Sequence, residues 1–318
     1  MSGQQDPVIG VDLGATNTKV GLVQVDGGVV CRCALPTEPR QGPDATAERI
    51  CRAALDLIRQ VGLRVADIRG VGIGSPGAVD AETGVVAFWP NVPSWRAVPL
   101  RRLFERRLGL PCVVENDGNA AALAEHWIGV GRGLSSLVLL TLGTGIGGGI
   151  VLDGRLWRGA SGAAGELGHM CIDSSGPACV CGGRGCLQAY AGAPAIVSRM
   201  CQALAAGVPT MLAGHEGELT AELVHQAALA DDQAARRNIC ETGRYLGVAA
   251  SNLMHVLNPQ AVVFSGGVAA AGSMLLNPVK EEVARRTLEA SRRGVKLAIS
   301  AVPDDAGIIG AARRFMLA

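Results

Sequence analysis

The chain uses one pattern twice. Residues 8–23 (VIGVDLGATNTKVGLV) run as an apolar strand, a Gly/Thr-rich turn and a second apolar strand. Residues 137–152 (LVLLTLGTGIGGGIVL) repeat that order. Each copy leads into a hairpin signal, Asp26-Gly27 in the first and Asp153-Gly154 in the second. A chance likeness between two glycine-rich strands is the plainer reading. The alternative is one β-meander used twice, hence two related domains facing each other.

Helical periodicity fills the space between strands. Asp44 can cap a helix to about Val61, with Ile50, Ala54, Leu57, Ile58 and Val61 on one face. Strands are predicted at 71–75, 112–115, 261–265 and 295–302, and helices at 100–108 and 120–128. A long helix from about Ala234 must stop before Asn258-Pro259, and a last helix starts near Ala306. Strands alternating with helices give an α/β class with mixed sheets. The expected domains are 1–118, completed by a C-terminal helix at 303–318, and a larger 119–302.

Composition narrows the function. Lys and Arg number 29 against 28 Asp and Glu, a balance of +1 that gives no footprint for a polyanion. Aromatics are 3%, too few for stacking single-stranded nucleic acid. The 44 glycines are about twice the usual ~7%, so many positions need positive φ or close approach. The longest apolar stretch, 261–276, is broken by Ser265, Gly266, Gly267, Gly272 and Ser273, and predicts no membrane span. The short polar start predicts no secretory signal, so the ten cysteines are expected in a reducing cytoplasm, as metal ligands or inert core. Cys51, Cys112, Cys201 and Cys240 read as core, and Arg96, Arg101, Arg102, Arg106 and Arg107 as a solvated helix face.

The glycine turns are candidates for holding phosphate. Residues 14–19, from Gly14 through Thr16 to Lys19, form neither a P-loop nor a dinucleotide fingerprint, because a strand follows instead of a helix. A Gly/Thr turn between two strands can still aim backbone N–H groups and hydroxyls at an anion. Gly143-Thr144-Gly145 offers the same, and Asp12 is placed to hold Mg²⁺ directly or through water. Gly266-Gly267, after an apolar strand, would let a base or ribose approach a helix N-terminus.

Six motifs occur in order. They are Asp12-Leu13-Gly14-Ala15-Thr16, Glu115-Asn116-Asp117, the glycine run 143–149, Glu166-Leu167-Gly168-His169, the cysteine run 179–186, and Ser265-Gly266-Gly267-Val268. Together they resemble the ROK family (repressors, open reading frames and sugar kinases), of the actin/Hsp70/hexokinase-like ATPase fold. The resemblance spans residue 8 to about residue 310. It implies a two-domain, ribonuclease H-like architecture, ATP with Mg²⁺ between the domains, and a hexose in the cleft. Relatives are commonly dimers or tetramers.

That resemblance makes Asp117 the general base for the sugar hydroxyl, expected to be the 6-OH. A carboxylate of ordinary pKa, ~3.9, need only orient the hydroxyl and take its proton late. The bland reading of Asn116-Asp117 is helix capping. Asn91, Asn116, Glu166 and His169 are implied as sugar contacts. Many sugar-kinase members carry Glu two residues after the last motif cysteine, where this chain has Gln188. Glutamine keeps an acceptor, loses the charge and adds donors.

Cys179, Cys181 and Cys186 with His169 can supply three thiolates and an imidazole, a closed structural Zn²⁺ set. Free cysteines are the alternative. Zinc on one ring nitrogen of His169 would fix the ring and leave the other to the sugar.

An ATP-dependent hexose kinase acting on glucose is therefore the expected function. N-acetylmannosamine, N-acetylglucosamine, fructose and allose remain alternative acceptors, and polyphosphate an alternative donor. A non-catalytic sugar sensor and a family repressor are disfavoured, the latter because the first strand leaves no room for a helix-turn-helix segment.

Overall fold

The computed structural model describes residues 6–302 and 304–318. The repeat is real at the level of topology. The first sheet is ordered β3-β2-β1-β4-β8, from β1 (Val8–Leu13), β2 (Asn17–Val23), β3 (Val29–Pro36), β4 (Val71–Ser75) and β8 (Cys112–Asn116). Between β4 and β8 lies a small sheet of β5 (Ala78–Asp80), β6 (Val85–Phe88) and β7 (Arg96–Val98). The other five-stranded sheet is ordered β11-β10-β9-β12-β13, from β9 (Leu137–Leu142), β10 (Ile146–Leu152), β11 (Arg155–Leu156), β12 (Ala261–Ser265) and β13 (Lys296–Ile299). Position for position the orders match. β1 pairs antiparallel with β2 and parallel with β4, and β12 pairs parallel with both β9 and β13.

The helices are α1 (Pro43–Gln60), α2 (Leu100–Leu108), α3 (Asp117–Trp127), α4 (Gln188–Ala191), α5 (Ala193–Ala205), α6 (Ala221–Leu229), α7 (Gln233–Leu257), α8 (Ser273–Arg286), α9 (Glu289–Arg292) and α10 (Ala306–Met316). By contacts the chain divides into two compact units. One holds the described residues to Gly133, Gly149–Gly165 and Val302–Ala318, and the other Leu134–Gly148 and Glu166–Ala301.

In the first unit, alternate residues of β1 and β2 bury Ile9, Val11, Leu13, Val20 and Leu22 against Ile50, Ala54, Leu57 and Ile58 of α1. That is the apolar face the periodicity gives. On the other side α10 lies directly on the strands. A Cβ on Gly10 would fall 2.0 Å from the Ile308 carbonyl oxygen, and one on Gly72 1.8 Å from that of Ala311. Close helix–sheet approach thus explains part of the glycine excess.

Several expectations need correction. Asp44 does not cap α1. Gly42 is the cap residue and Pro43 opens the helix, where its missing N–H costs nothing. Asp44 instead pairs with Arg107, which also meets Glu48, so Arg107 leaves the solvated helix face assigned to it, as does Arg96, which lies on β7 over the Phe88 ring. Helix α3 starts at Asp117, not Ala120, and β13 ends at Ile299, not Val302. Cys201 is exposed and Cys240 half-buried, whereas Cys51 and Cys112 are core.

Candidate active site and metal cluster

The strand-to-helix turn at Asp117 is built by its neighbours. Asn116 is extended, ends β8, and accepts from the Asn119 N–H at 3.1 Å as the helix cap. Its amide donates to the Gly77 carbonyl at 3.2 Å. Asn116 therefore does the capping that the bland reading offered, and Asp117 is left as the first helical residue. One carboxylate oxygen of Asp117 accepts from the Gly118 N–H at 2.8 Å. The positive helix end favours an anion there.

Gly77, which takes the Asn116 amide, also packs against the start of the loop that carries Asn91. Gly77 has φ +83, and a Cβ on it would fall 2.2 Å from the Phe88 carbonyl oxygen. The loop beyond Phe88 is pinned by the buried Trp89 and Trp95, edge to face at 4.9 Å, with Trp95 Nε1 donating to the Pro39 carbonyl at 3.0 Å. Asn91 is exposed on that anchored loop.

The first glycine turn is tied by a residue that sequence reading missed. Thr37, 1% exposed, donates to the Gly14 carbonyl at 2.8 Å and meets the Thr18 hydroxyl at 2.7 Å. Thr16 stays exposed. Asp12 pairs in register with Lys19, and its carboxylate lies against Gly307 of α10. Burial pushes the Asp12 pKa up, and the Lys19 ammonium opposes this. Lys19 Nζ donates to the Asp304 carbonyl at 2.6 Å, so its charge is held beside the turn.

In the second unit two glycine turns adjoin. β9 and β12 are in parallel register, Thr141 against Ser265, so Gly143-Thr144-Gly145 and Gly266-Gly267 follow neighbouring strand ends. Gly266 has φ +89, and a Cβ there would fall 2.5 Å from the Leu142 carbonyl oxygen. The Gly143 N–H donates to the Gly145 carbonyl at 3.0 Å, closing the turn, and its carbonyl takes the Ala193 N–H at 2.9 Å. Thr144 and Gly145 are exposed, as are Gly266 and Gly267.

Glu166 and His169 flank a single 3₁₀ turn, Leu167–His169, with the His169 N–H donating to the Glu166 carbonyl at 3.0 Å. Leu167 is buried, whereas Glu166 is exposed.

The donor atoms of His169, Cys179, Cys181 and Cys186 all lie within 4.8 Å of one another. Four ligands about 2.0–2.3 Å from one centre require such spacings. Cys179 Sγ is 3.8 Å from His169 Nδ1, and Cys181 Sγ 3.7 Å from Cys186 Sγ. The loop closes because the Cys179 N–H donates to the Gly183 carbonyl and the Gly182 N–H to the Cys179 carbonyl. Burial opposes ionisation of Cys179, but hydrogen bonds from Cys181, His169 and Cys186 bring its pKa to about 6. Burial and the neighbouring thiols push Cys186 up to about 12. Three thiolates cannot share this volume without a cation, and a soft-donor set of this kind fits Zn²⁺. Cys171 lies outside the four, although its backbone bridges that of Cys186. Gln188 opens α4 and donates from its amide to Cys179 Sγ at 3.4 Å.

Sequence reading gave Glu115, Arg158 and Arg314 no role, yet the two arginines meet at the Glu115 carboxylate. The available signal was one acid at the end of the apolar strand 112–116.

Against known proteins, a family model described as the ROK family matches residues 8–316. A glucokinase of Thermotoga maritima is 37% identical over 308 residues, covering 96% of each chain. A xylose repressor of Caldicellulosiruptor bescii is 32% identical, covering 95% of this chain and 76% of the repressor. Among solved structures, a ROK family glucokinase from Streptomyces griseus in complex with glucose and AMPPNP superposes with a TM-score of 0.83 at 32% identity, covering 96% of this chain and 98% of that one. The chain belongs to the ROK family. Its fold is accordingly the actin-like ATPase fold, with the duplicated sheet order that the two strand–turn–strand segments foreshadow.

Proposed function

We infer that this chain is an ATP-dependent sugar kinase whose acceptor is glucose and whose product is glucose 6-phosphate. The observation that carries this is Asp117, a carboxylate at the first position of α3 within a turn fixed on both sides. In a loose phosphoryl-transfer transition state there is little covalent work for the protein. Asp117 orients the sugar 6-OH and accepts its proton as the bond to phosphorus forms, a contribution of ~10²–10⁴ in rate. Asn91, Asn116, Glu166, His169 and Gln188 are the sugar contacts in this reading. Gly14, Thr16, Lys19, Gly143, Thr144 and Gly145 face the phosphates, and Gly266-Gly267 the nucleoside. Asp12 would hold the Mg²⁺ that accompanies ATP, directly or through water, and the ion would supply charge neutralisation at the phosphates.

The four-donor cluster holds a structural Zn²⁺, and by fixing His169 it shapes the sugar contacts. We also place the protein in the cytoplasm as a homodimer or homotetramer. Among the described residues no helix is long and apolar enough to cross a membrane. The likeness to a xylose repressor supports a second reading, sugar-responsive repression. A coupled ADP-release assay with ATP, or with polyphosphate as donor, separates the readings. Turnover on a hexose that is abolished in Asp117→Asn supports the kinase. Sugar binding without turnover supports the sensor or repressor.

A further inference from the structure

Glu115 is 2% exposed, two residues before Asp117. Its carboxylate is saturated. Oε2 accepts from Arg158 Nε at 2.8 Å, Arg158 Nη2 at 2.6 Å and Arg314 Nε at 3.3 Å. Oε1 accepts from the Asn116 N–H at 3.1 Å and from Asn119 Nδ2 at 3.0 Å. Arg158 follows β11 and Arg314 lies on α10, so three separate parts of the first unit converge on one carboxylate.

Stability is a poor explanation for this cluster. A buried ion pair is often no better than apolar residues of similar volume, because both charges lose their water. The cluster carries two positive charges against one negative, which makes it costlier still. What distinguishes it is where Oε1 points. It holds the N–H of the cap residue Asn116 and the side chain of Asn119, whose own N–H the Asn116 cap takes. Those two residues bracket Asp117 in the chain. The carboxylate therefore holds the backbone just before Asp117 and the side chain of Asn119 just after it, and the arginines fix the carboxylate.

We propose that Glu115, clamped by Arg158 and Arg314, is a positioning residue that holds Asp117 in register with the sugar hydroxyl. The proposal rests on the reading of Asp117 as the base. Displacing a catalytic group by about 1 Å can cost ~10²-fold in rate without touching substrate affinity. The clamp should therefore act far more on kcat than on KM, with any rise in KM confined to the sugar through Asn116. Arg158 is the arm to cut, because it supplies the two-pronged contact that only a guanidinium makes.

The test compares Arg158→Met, Arg158→Lys and Glu115→Gln with wild type, each as full-length protein. Steady-state rates are expressed per nucleotide-binding-competent molecule, beside the melting temperature and a crystal structure of each variant. For Arg158→Met we expect kcat to fall roughly tenfold or more, with KM for glucose and ATP within about threefold. Arg158→Lys, which keeps the charge and one contact, should recover part of kcat. The Asp117 carboxylate should move off the Gly118 N–H in the Met variant. A variant with a lowered melting temperature but near-wild-type kcat would make the cluster a mere folding staple and overturn the proposal. Should Arg158→Met fail to fold, the same comparison is decided by Arg158→Lys and Glu115→Gln. If wild type turns over no sugar, the kinase reading fails on its own. An unmoved Asp117 in the variant crystals refutes the positioning role even where turnover is present, so the two failures are told apart.

Discussion

The side-chain amide of Gln188 lies between the cysteine loop and the second glycine turn. Nε2 donates to Cys179 Sγ at 3.4 Å, and Oε1 would lie 3.4 Å from a Cβ placed on Gly145. A glutamate could not make the first contact, having no proton to give to sulfur. Gln188→Glu should thus set a carboxylate beside a thiolate. Outer-shell changes of this kind shift metal affinity by ~10–100-fold. Zinc release to a chelator should be slowest for wild type, faster for Gln188→Leu and fastest for Gln188→Glu. Equal release from wild type and the Glu variant would contradict this.

Asp117→Asn is nearly isosteric and keeps an oxygen for the Gly118 N–H, so folding should survive. kcat should fall by ~10²–10⁴ while the sugar dissociation constant changes far less. Calorimetric sugar titration beside steady-state rates checks both halves. A variant with wild-type kcat would remove Asp117 from the mechanism.

Thr37→Val deletes the hydroxyl that ties Gly14 to Thr18 in the first glycine turn. The buried Thr18 hydroxyl and the half-buried Gly14 carbonyl each lose a hydrogen bond, a cost of about 1–3 kcal/mol in stability. If the turn holds phosphate, KM for ATP should rise while sugar binding without nucleotide stays unchanged. Denaturant melts and ATP titrations measure the two effects separately.

Asp232 caps α7, accepting from the Ala235 N–H at 2.8 Å and the Met211 N–H at 2.6 Å. Burial raises its pKa, but these N–H bonds and Thr210 outweigh that and leave it lowered. A carboxylate with a depressed folded pKa stabilises fully above its unfolded value, ~3.9, and loses this as pH falls through the folded value. Asp232→Ala should cost about 1 kcal/mol at pH 7. The gap between wild type and variant should narrow below about pH 4. A gap that stays constant down to pH 2 would refute the linkage.

Local signals were legible where chain neighbours decide the outcome. β4, β12 and α2 fall on the residues that apolar runs and periodicity mark. The four-donor cluster was legible because three of its four side chains lie within one short loop, which its glycines let turn. The start of α3 was not, because Asn116, Asp117 and Gly118 resemble a loop until Glu115 is seen to hold Asn116 and Asn119 on either side. The clamp itself was hidden by distance. Glu115 lies 43 residues from Arg158 and 199 from Arg314, and no local pattern joins them. Thr37, 23 residues from Gly14, escaped for the same reason.

The proposed reaction is phosphoryl transfer from ATP to a hexose with Asp117 as base. Its most direct test is ADP release by purified full-length protein across a panel of hexoses, with the product's phosphate located by NMR. The highest kcat/KM is expected with glucose, with phosphate on the 6-oxygen and loss of turnover in Asp117→Asn. Folded, metal-loaded protein that released no ADP above the Asp117→Asn background with any hexose would contradict it.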